Sequence, residues 1–503
     1  MDRQLDYSIN IVFLVASIFS LLYLGIEYFN GGTVDDTYII YRYVENLYSG
    51  AGFRWNIGGE KVQGFTSMGW VLVLAASRLF TESEIHTYAP RIGLAFSSVA
   101  LLLAFLTSRR VLRGRIRFFS FLIPLALTLS PAYVRHSISG METAMVFFTV
   151  SLICFVSTFH KSGIRYDIAM SVTTIISGLA RPDLILIPVI LHTTIELYKS
   201  ESIGEFIRLS YVYYFLCLSM GITYLSWKYI YFGDILPLPS YMKSNPKRTF
   251  NFVRFIFSWQ LKFFAYAAVP ILIFIFSSFK LEDKKEFYTG ISISVLSFTI
   301  YLFSVIPAVN FHYRYQMAVF IPIVMLSIYG LKLILEYLIN TSKFHSLIVF
   351  SMICTVLVLH NVGRFTEIRN ESTGSHNSHS QHVNLAINLK PIDGLSIAGS
   401  EAGRLPYFSG ATHIDILGLN TKFIAYNRFD SSDFEKKLAN YIDKKEPDIY
   451  MDYSDRPWAD IKNDSVGEKY EETKCYGLNV MILVKSKNYP KIRAICKKSR
   501  NMN

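Results

Sequence analysis

Long apolar runs dominate the chain. They lie at about 9–29, 90–108, 117–134, 142–159, 168–180, 184–198, 209–231, 262–279, 287–307, 316–339 and 344–361. A bilayer core is crossed by roughly 20 apolar residues in a helix, so this pattern predicts a polytopic helical membrane protein with about eleven spans. The run 168–180 is short. Only Arg181-Pro182-Asp183 separates it from the next, which reads as a tight turn between two spans. The stretch 66–80 is apolar but too short to cross, and is expected to be re-entrant or interfacial. The first run is longer than a signal-peptide core and no small-x-small site follows it, so it reads as an uncleaved first span.

The polar connections give an orientation. Ser108-Arg109-Arg110-Val111-Leu112-Arg113-Gly114-Arg115-Ile116-Arg117 is strongly basic, as is Lys280-Leu281-Glu282-Asp283-Lys284-Lys285. Lys161 with Arg165, Lys199 with Arg208, and Lys332 with Lys343 mark three more basic connections. With a cytoplasmic N-terminus all of them fall on the cytoplasmic side, as the positive-inside rule requires. Segments 30–89, 135–141, 181–183, 232–261 and 308–315, and everything after about 362, are then outside. The expected location is the cytoplasmic (inner) membrane.

Composition supports the membrane reading. Of 503 residues, 51% are hydrophobic and 17% charged, and the mean hydropathy is +0.31. The formal charge of +12 sits in short loops between apolar runs, so nucleic acid is not among the expected partners. Five cysteines are too few for a disulfide framework. Cys154, Cys217 and Cys354 lie in apolar runs and read as small hydrophobes. Cys475 and Cys496 suit one disulfide if the tail is extracytoplasmic, and equally two free thiols.

The tail has a different pattern. Residues 362–385 read as a polar linker, in which His376, His379 and His382 repeat every third residue among Ser and Asn. Short apolar stretches follow at Leu395–Ala398, His413–Leu417, Asp448–Met451 and Asn479–Val484, with a helical pattern over Asp433–Ile442. They predict a small α/β domain over 386–503, distinct from a transmembrane domain over 1–361.

Candidate chemistry begins directly after the first span. Val34-Asp35-Asp36-Thr37-Tyr38-Ile39-Ile40-Tyr41-Arg42-Tyr43 places two adjacent carboxylates at a membrane surface, at the start of a helical pattern ending near Ser49-Gly50. Carboxylates at that depth are costly unless paired, solvated or used. Read blandly, Asp35 caps the helix and Asp36 favours its dipole. Read functionally, one takes a proton from an acceptor hydroxyl, and the pair is also suited to a divalent cation, Mg or Mn. Glu142 opens a span, Arg181 and Asp183 form either a turn pair or a ligand clamp, and His312 with Arg314 suits a lipid phosphate. Lys243, Lys247 and Arg248 form a basic patch that reads as a solvated loop.

An ordered set of motifs resembles one family. The Asp-Asp segment, then Asn46-Leu47, Gly50, Gly52-Phe53-Arg54-Trp55-Asn56 and Val62-Gln63-Gly64-Phe65-Thr66-Ser67, resembles the first external loop of GT-C polyprenyl-phosphate-sugar glycosyltransferases. The nearest branch is that of the terminal arabinofuranosyltransferases and pilin arabinosyltransferases. Gln63 stands where that branch usually has Glu. Ser139-Gly140-Met141-Glu142-Thr143, Leu179-Ala180-Arg181-Pro182-Asp183, Tyr231-Phe232-Gly233-Asp234-Ile235-Leu236-Pro237, His312-Tyr313-Arg314-Tyr315 and Ile414-Asp415-Ile416-Leu417-Gly418-Leu419-Asn420 continue the likeness in order. All fall on the outer side of the charge-derived topology and so are expected to converge on one cavity.

The resemblance implies transfer of a sugar, arabinofuranose in the nearest branch, from a lipid-linked donor to a glycan or protein hydroxyl outside the membrane, with inversion. It implies catalysis by Asp35 or Asp36, and substrate contacts from Arg42, Gln63, Glu142, Arg181, Asp183, His312 and Arg314. A transporter or flippase for lipid-linked sugars is the alternative; it would use the basic residues and need no base.

Overall fold

The structure is a computed structural model. It describes residues 3–29, 33–112, 114–161, 163–243, 250–268, 270–273, 285–303, 311–327, 361, 363–370, 381–428, 434–453, 469–475, 478 and 480–498. The expected span at 344–361 falls outside these residues except for its last position, and the basic stretch at 280–284, His376, His379, Lys247 and Arg248 fall outside them entirely.

The chain divides into two compact units. Met1–Gly32, Tyr88–Tyr224 and Arg248–Glu371 form the first; Thr33–Thr87, Leu225–Lys247 and Ser372–Asn503 form the second. The first outer loop is thus grouped with the C-terminal region.

The described part of the first unit is helical. By length and composition three described helices are able to cross a membrane: Tyr7–Tyr28, Ile85–Val111 and Ile203–Phe232. Other apolar helices are shorter, among them Phe119–Thr128, Thr143–Ser157, Glu286–Leu302 and Met317–Ser327. The expected single span at 117–134 is broken. Its helix stops at Thr128, and Pro131–Ser137 starts anew with Ser130 as cap, its hydroxyl accepting from the Tyr133 amide. Proline at the first helical position pushes the preceding residue out of helical geometry, which an apolar run does not reveal. The short helix Pro131–Ser137 is fixed from both sides: Tyr133 donates to the Ser97 carbonyl at 2.8 Å, and Ser130 shares a 2.5 Å hydrogen bond with Tyr266. At the expected turn, Arg181 is extended between the helix Ile164–Ala180 and the 3-10 turn Pro182–Ile185, and the helix Leu186–Lys199 follows.

The second unit contains a five-stranded sheet: β1 Ser396–Gly399, β2 Thr412–Asp415, β3 Ile449–Tyr453, β4 Tyr470–Thr473 and β5 Val480–Lys485, in the order β2-β1-β3-β5-β4. β1 pairs in parallel with β2 and β3, whereas β5 is antiparallel to β3 and β4. Side chains alternate faces along a strand. Ile397, Ile449, Met451, Ile482 and Val484 enter one core with Leu385, Leu389 and Ile492; Ala398, Tyr450 and Leu483 enter the other with Leu438 and Ile442. Helices therefore cover both faces, giving an α/β domain. Cys475 and Cys496 are disulfide-bonded within the first core. The outer loop adds the helices Asp36–Tyr48 and Met68–Arg78. The latter, 11 residues long, is capped by Ser67, whose hydroxyl accepts from the Trp70 amide.

Candidate functional site

In the second unit, Asp35 stands at the N-terminus of the helix Asp36–Tyr48 but does not cap it. Its backbone is already helical (φ −59°, ψ −45°) and its side chain makes no capping bond. The Asp35 carboxylate instead accepts from the Arg404 amide at 3.0 Å and lies 3.5 Å from the Arg404 guanidinium. Arg404 is held in turn by the Thr33 carbonyl at 2.5 Å and by the Tyr38 ring, 4.8 Å from its guanidinium carbon. The Asp35 side chain is 22% exposed, so solvent or a ligand reaches it. Burial, then the negative charge of Glu401, pushes its pKa up to about 7, against the restraint of Arg404. A carboxylate tuned to near-neutral pH is suited to general-base chemistry. Asp36 is half-buried and makes no side-chain hydrogen bond or ion pair among the described residues, which leaves its oxygens available.

Close backbone approach explains two glycines here. A side chain at Gly403 would collide with the Asp35 carboxylate and carbonyl. One at Gly64 would collide with Asn420 and come within 2.9 Å of the Leu419 carbonyl. Around Gly64, Tyr43 donates to the Val62 carbonyl at 2.9 Å and accepts from the Gly64 amide at 3.0 Å. Asp415 accepts from the amides of Leu417 and Asn420, both at 2.8 Å, and so shapes the Ile414–Asn420 turn that meets this loop. Gln63 is buried, with its side-chain oxygen unpartnered among the described residues.

Arg42 is buried and its donors are occupied. It bonds the carbonyls of Trp55 (2.8 Å), Pro406 and Ala411 (2.7 Å) and the Asn56 side-chain oxygen (3.0 Å), and it covers the Trp55 ring. Four of the five guanidinium N–H groups are thus used to fix the loop to the segment that carries Arg404.

The first unit brings together a second set. Glu142 and Arg314 form a buried ion pair at 2.5 Å. Arg181 grips Asp183 with two hydrogen bonds, as the turn reading expected, and lies over the Tyr315 ring at 4.4 Å. Its remaining terminal nitrogen is buried and has no hydrogen-bond partner among the described residues. Arg314 lies 5.7 Å from the same ring. His312 and Tyr313 both adopt left-handed backbone (φ 46° and 61°), which turns the chain sharply before Arg314. The His312 carbonyl is 3.0 Å from a His136 ring nitrogen. Burial, then the charge of Arg135, lowers the His312 pKa to about 4, so its ring is neutral at physiological pH. Among the described residues this set gathers three buried arginines, Arg135, Arg181 and Arg314, with the carboxylates of Glu142 and Asp183, and guanidinium groups match phosphate geometry well. The sequence reading did not include Arg135, His136, Glu401 and Arg404. The first two immediately precede the Ser139–Thr143 motif, whereas no signal marks Glu401 or Arg404, whose relevance arises only in three dimensions.

In fold the chain is similar to solved structures of an oligosaccharyltransferase and of an ArnT, a likeness of fold alone. The apo oligosaccharyltransferase of Archaeoglobus fulgidus matches with a TM-score of 0.60 at 10% identity, over 88% of this chain and 69% of that chain. ArnT from Cupriavidus metallidurans bound to undecaprenyl phosphate matches with a TM-score of 0.58 at 10% identity, over 94% of this chain and 97% of that chain. A complex of the archaeal enzyme, AglB, with an inhibitory peptide and a dolichol-phosphate gives 0.56 at 10% identity, with 88% and 69% covered. Residues 369–501 match the model of a domain of unknown function (DUF8728). No curated protein matches the chain.

Proposed function

We propose that the protein transfers a sugar from a polyprenyl-phosphate carrier to a hydroxyl acceptor on the outer face of the cytoplasmic membrane. The observation that carries this reading is Asp35, a partly exposed carboxylate tuned to about pH 7 beside the unengaged Asp36. The fold shared with an oligosaccharyltransferase and with an ArnT that binds undecaprenyl phosphate supports the donor class. The acceptor is a cell-surface glycan or a protein. Arabinofuranose is the favoured sugar, on the ordered motifs. The Cys475–Cys496 disulfide supports an extracytoplasmic tail, and the basic loops a cytoplasmic N-terminus.

In this reading Asp35 takes the acceptor hydroxyl proton. The oxygen attacks the anomeric carbon, the bond from that carbon to the phosphate oxygen breaks, and polyprenyl phosphate leaves with the electron pair. Attack opposite the leaving group inverts the anomeric centre. The leaving group is already a stable phosphate, so no general acid is needed; charge neutralisation suffices. Arg314 and Arg181, with Arg135, supply it, and Glu142 and Asp183 hold the arginines in place. Gln63 contacts substrate through its unpartnered oxygen, and Arg42 positions the loop. If the reaction requires a divalent cation, Asp35 and Asp36 would hold it. A complex of the archaeal oligosaccharyltransferase with Zn and sulfate supports testing that ion.

The test is turnover by the full chain in lipid nanodiscs. It uses a panel of polyprenyl-phosphate sugars, with and without EDTA, for wild type, Asp35→Asn and Asp36→Asn. Release of polyprenyl phosphate from one donor, lost in Asp35→Asn with donor binding retained, is the expected result. Donor movement across vesicles without phosphate release, equal in all three proteins, would overturn the enzyme reading in favour of a transporter or flippase.

A further inference from the structure

A third cluster lies apart from the residues used above. Asp167, on the helix Ile164–Ala180, and His192 and Glu196, on the helix Leu186–Lys199, are all buried, at 5%, 0% and 3% exposure. His192 and Glu196 are four residues apart and so share a helix face. Each of the three offers one ligand atom, and these atoms lie within 4.8 Å of one another. One His192 ring nitrogen is 3.9 Å from an Asp167 oxygen, beyond hydrogen-bonding distance. Neither ring nitrogen has a hydrogen-bond partner among the described residues.

The imidazole is locked in this position. Tyr213 stacks on one side with ring centroids 3.9 Å apart, and Tyr166 at 5.4 Å, both inclined by 27°. The cation that acts on this cluster among the described residues is Lys199, which meets Glu196 at 2.6 Å and donates to the His160 carbonyl at 2.5 Å. One ammonium faces two carboxylates, and the imidazole is left unsatisfied. Buried polar groups are ordinarily paired, and an unpaired one is costly.

We infer that Asp167, His192 and Glu196 form a binding site for one divalent transition metal ion, separate from the Asp35–Asp36 pair. One imidazole nitrogen and two carboxylate oxygens suit zinc and its neighbours better than magnesium or calcium, which prefer all-oxygen shells. Bonds of about 2.0–2.2 Å to a tetrahedral zinc set ligand atoms roughly 3.4 Å apart, so each contact closes by about 1.4 Å at most from the 4.8 Å limit. The ion ties two helices together beside the basic connections at Lys161–Arg165 and Lys199–Arg208, on the cytoplasmic side of the charge-derived orientation. Lys199 competes for Glu196, so the site binds more tightly once that ammonium is removed.

The test is Zn(II) titration of the full chain in nanodiscs, stripped beforehand with chelator, against a chromophoric competitor. Wild type, Asp36→Asn, His192→Gln, Glu196→Gln and Lys199→Met are compared, with circular dichroism to confirm folding. Wild type and Asp36→Asn should bind one equivalent that His192→Gln and Glu196→Gln lack, and Lys199→Met should bind about tenfold more tightly. X-ray absorption of the zinc-loaded wild type should show imidazole in the shell, and this reading with the Lys199→Met gain decides the matter if the His192 variant does not fold. Equal zinc in wild type and folded His192→Gln, loss of zinc only in Asp36→Asn, or an absorption spectrum without imidazole would each overturn the inference.

Discussion

The acid limb of the pH–rate profile should move in opposite directions when the two side chains flanking Asp35 are neutralised. A general base must be ionised, so kcat/KM falls as the pH drops through its pKa, near 7 in the wild type. The Arg404 guanidinium is 3.5 Å from the Asp35 carboxylate. Unit charges at that separation interact by about 5 kcal/mol at an effective dielectric of about 20, and by about 1 kcal/mol in water. Partial exposure of the carboxylate screens the pair, and about 1.5–3 kcal/mol is a reasonable remainder. That is one to two pKa units. Arg404→Met should therefore move the limb to about pH 8–9 and cut the rate at pH 7 by roughly 5- to 50-fold, while retaining activity on the alkaline side. Glu401→Gln removes a negative neighbour and should move the limb below 7. The assay is release of polyprenyl phosphate in nanodiscs at subsaturating donor, between pH 5 and 9.5. The backbone amide of residue 404 still bonds Asp35 in either variant, so limb position reports charge rather than collapse of the loop. Limbs that coincide with the wild type, or that shift in the same direction, would refute the assignment of Asp35 as the tuned base.

Two further outcomes follow from the same geometry. The folded state holds the Asp35 proton up to about pH 7 against an ordinary value of 3.8, so the contribution of Asp35 to stability is fully present below about pH 4 and is lost as the pH rises through 7. Asp35→Asn escapes that decline and should be more stable by about 2–4 kcal/mol at pH 8, with no gain at pH 4, as read by thermal melts at the two pH values. Gly403→Ala forces a methyl into the Asp35 carboxylate and carbonyl, and should cost about 1–3 kcal/mol in stability, with a larger loss of kcat than of donor affinity.

Hydrophobic patterning made the class of fold legible, because helices in lipid must be long and apolar and strands covered on both faces read as short, nearly continuous apolar stretches. Four of the five tail strands lie close to the short apolar stretches, whereas β4 at Tyr470–Thr473, with two glutamates, has none. The break at Ser130-Pro131 was less legible, since run length does not weigh a proline's effect on the preceding residue. At the candidate site, Asp35 and Asp36 stood out by position, but whether Asp35 caps a helix was open. The structure decides against capping because the carboxylate turns to the Arg404 amide. Arg42 looked like a ligand-binding arginine because charge alone does not distinguish a free guanidinium from one already bonded to three carbonyls and an amide oxygen. Glu401 and Arg404, 366 and 369 positions from Asp35, carried no periodic or motif signal.

The same contacts bear on the role of the C-terminal region. Residues 369–501 match a domain model by themselves, which invites the view of an accessory module attached to a membrane enzyme. The hydrogen bonds argue otherwise. The loop after β1 supplies the amide and guanidinium that hold Asp35, and the carboxylate of Glu401 that opposes its ionisation. The turn after β2 supplies Asn420 against Gly64 and Tyr43, and Arg42 reaches the carbonyls of Pro406 and Ala411. In the parallel part of such a sheet, here β2-β1-β3, the loops at the carboxyl ends of the strands are where ligands ordinarily bind. Here two of those loops are occupied by the outer loop that carries the Asp pair. The C-terminal region therefore sets the proton affinity and position of the proposed base, and removing it would take away the residues that tune Asp35.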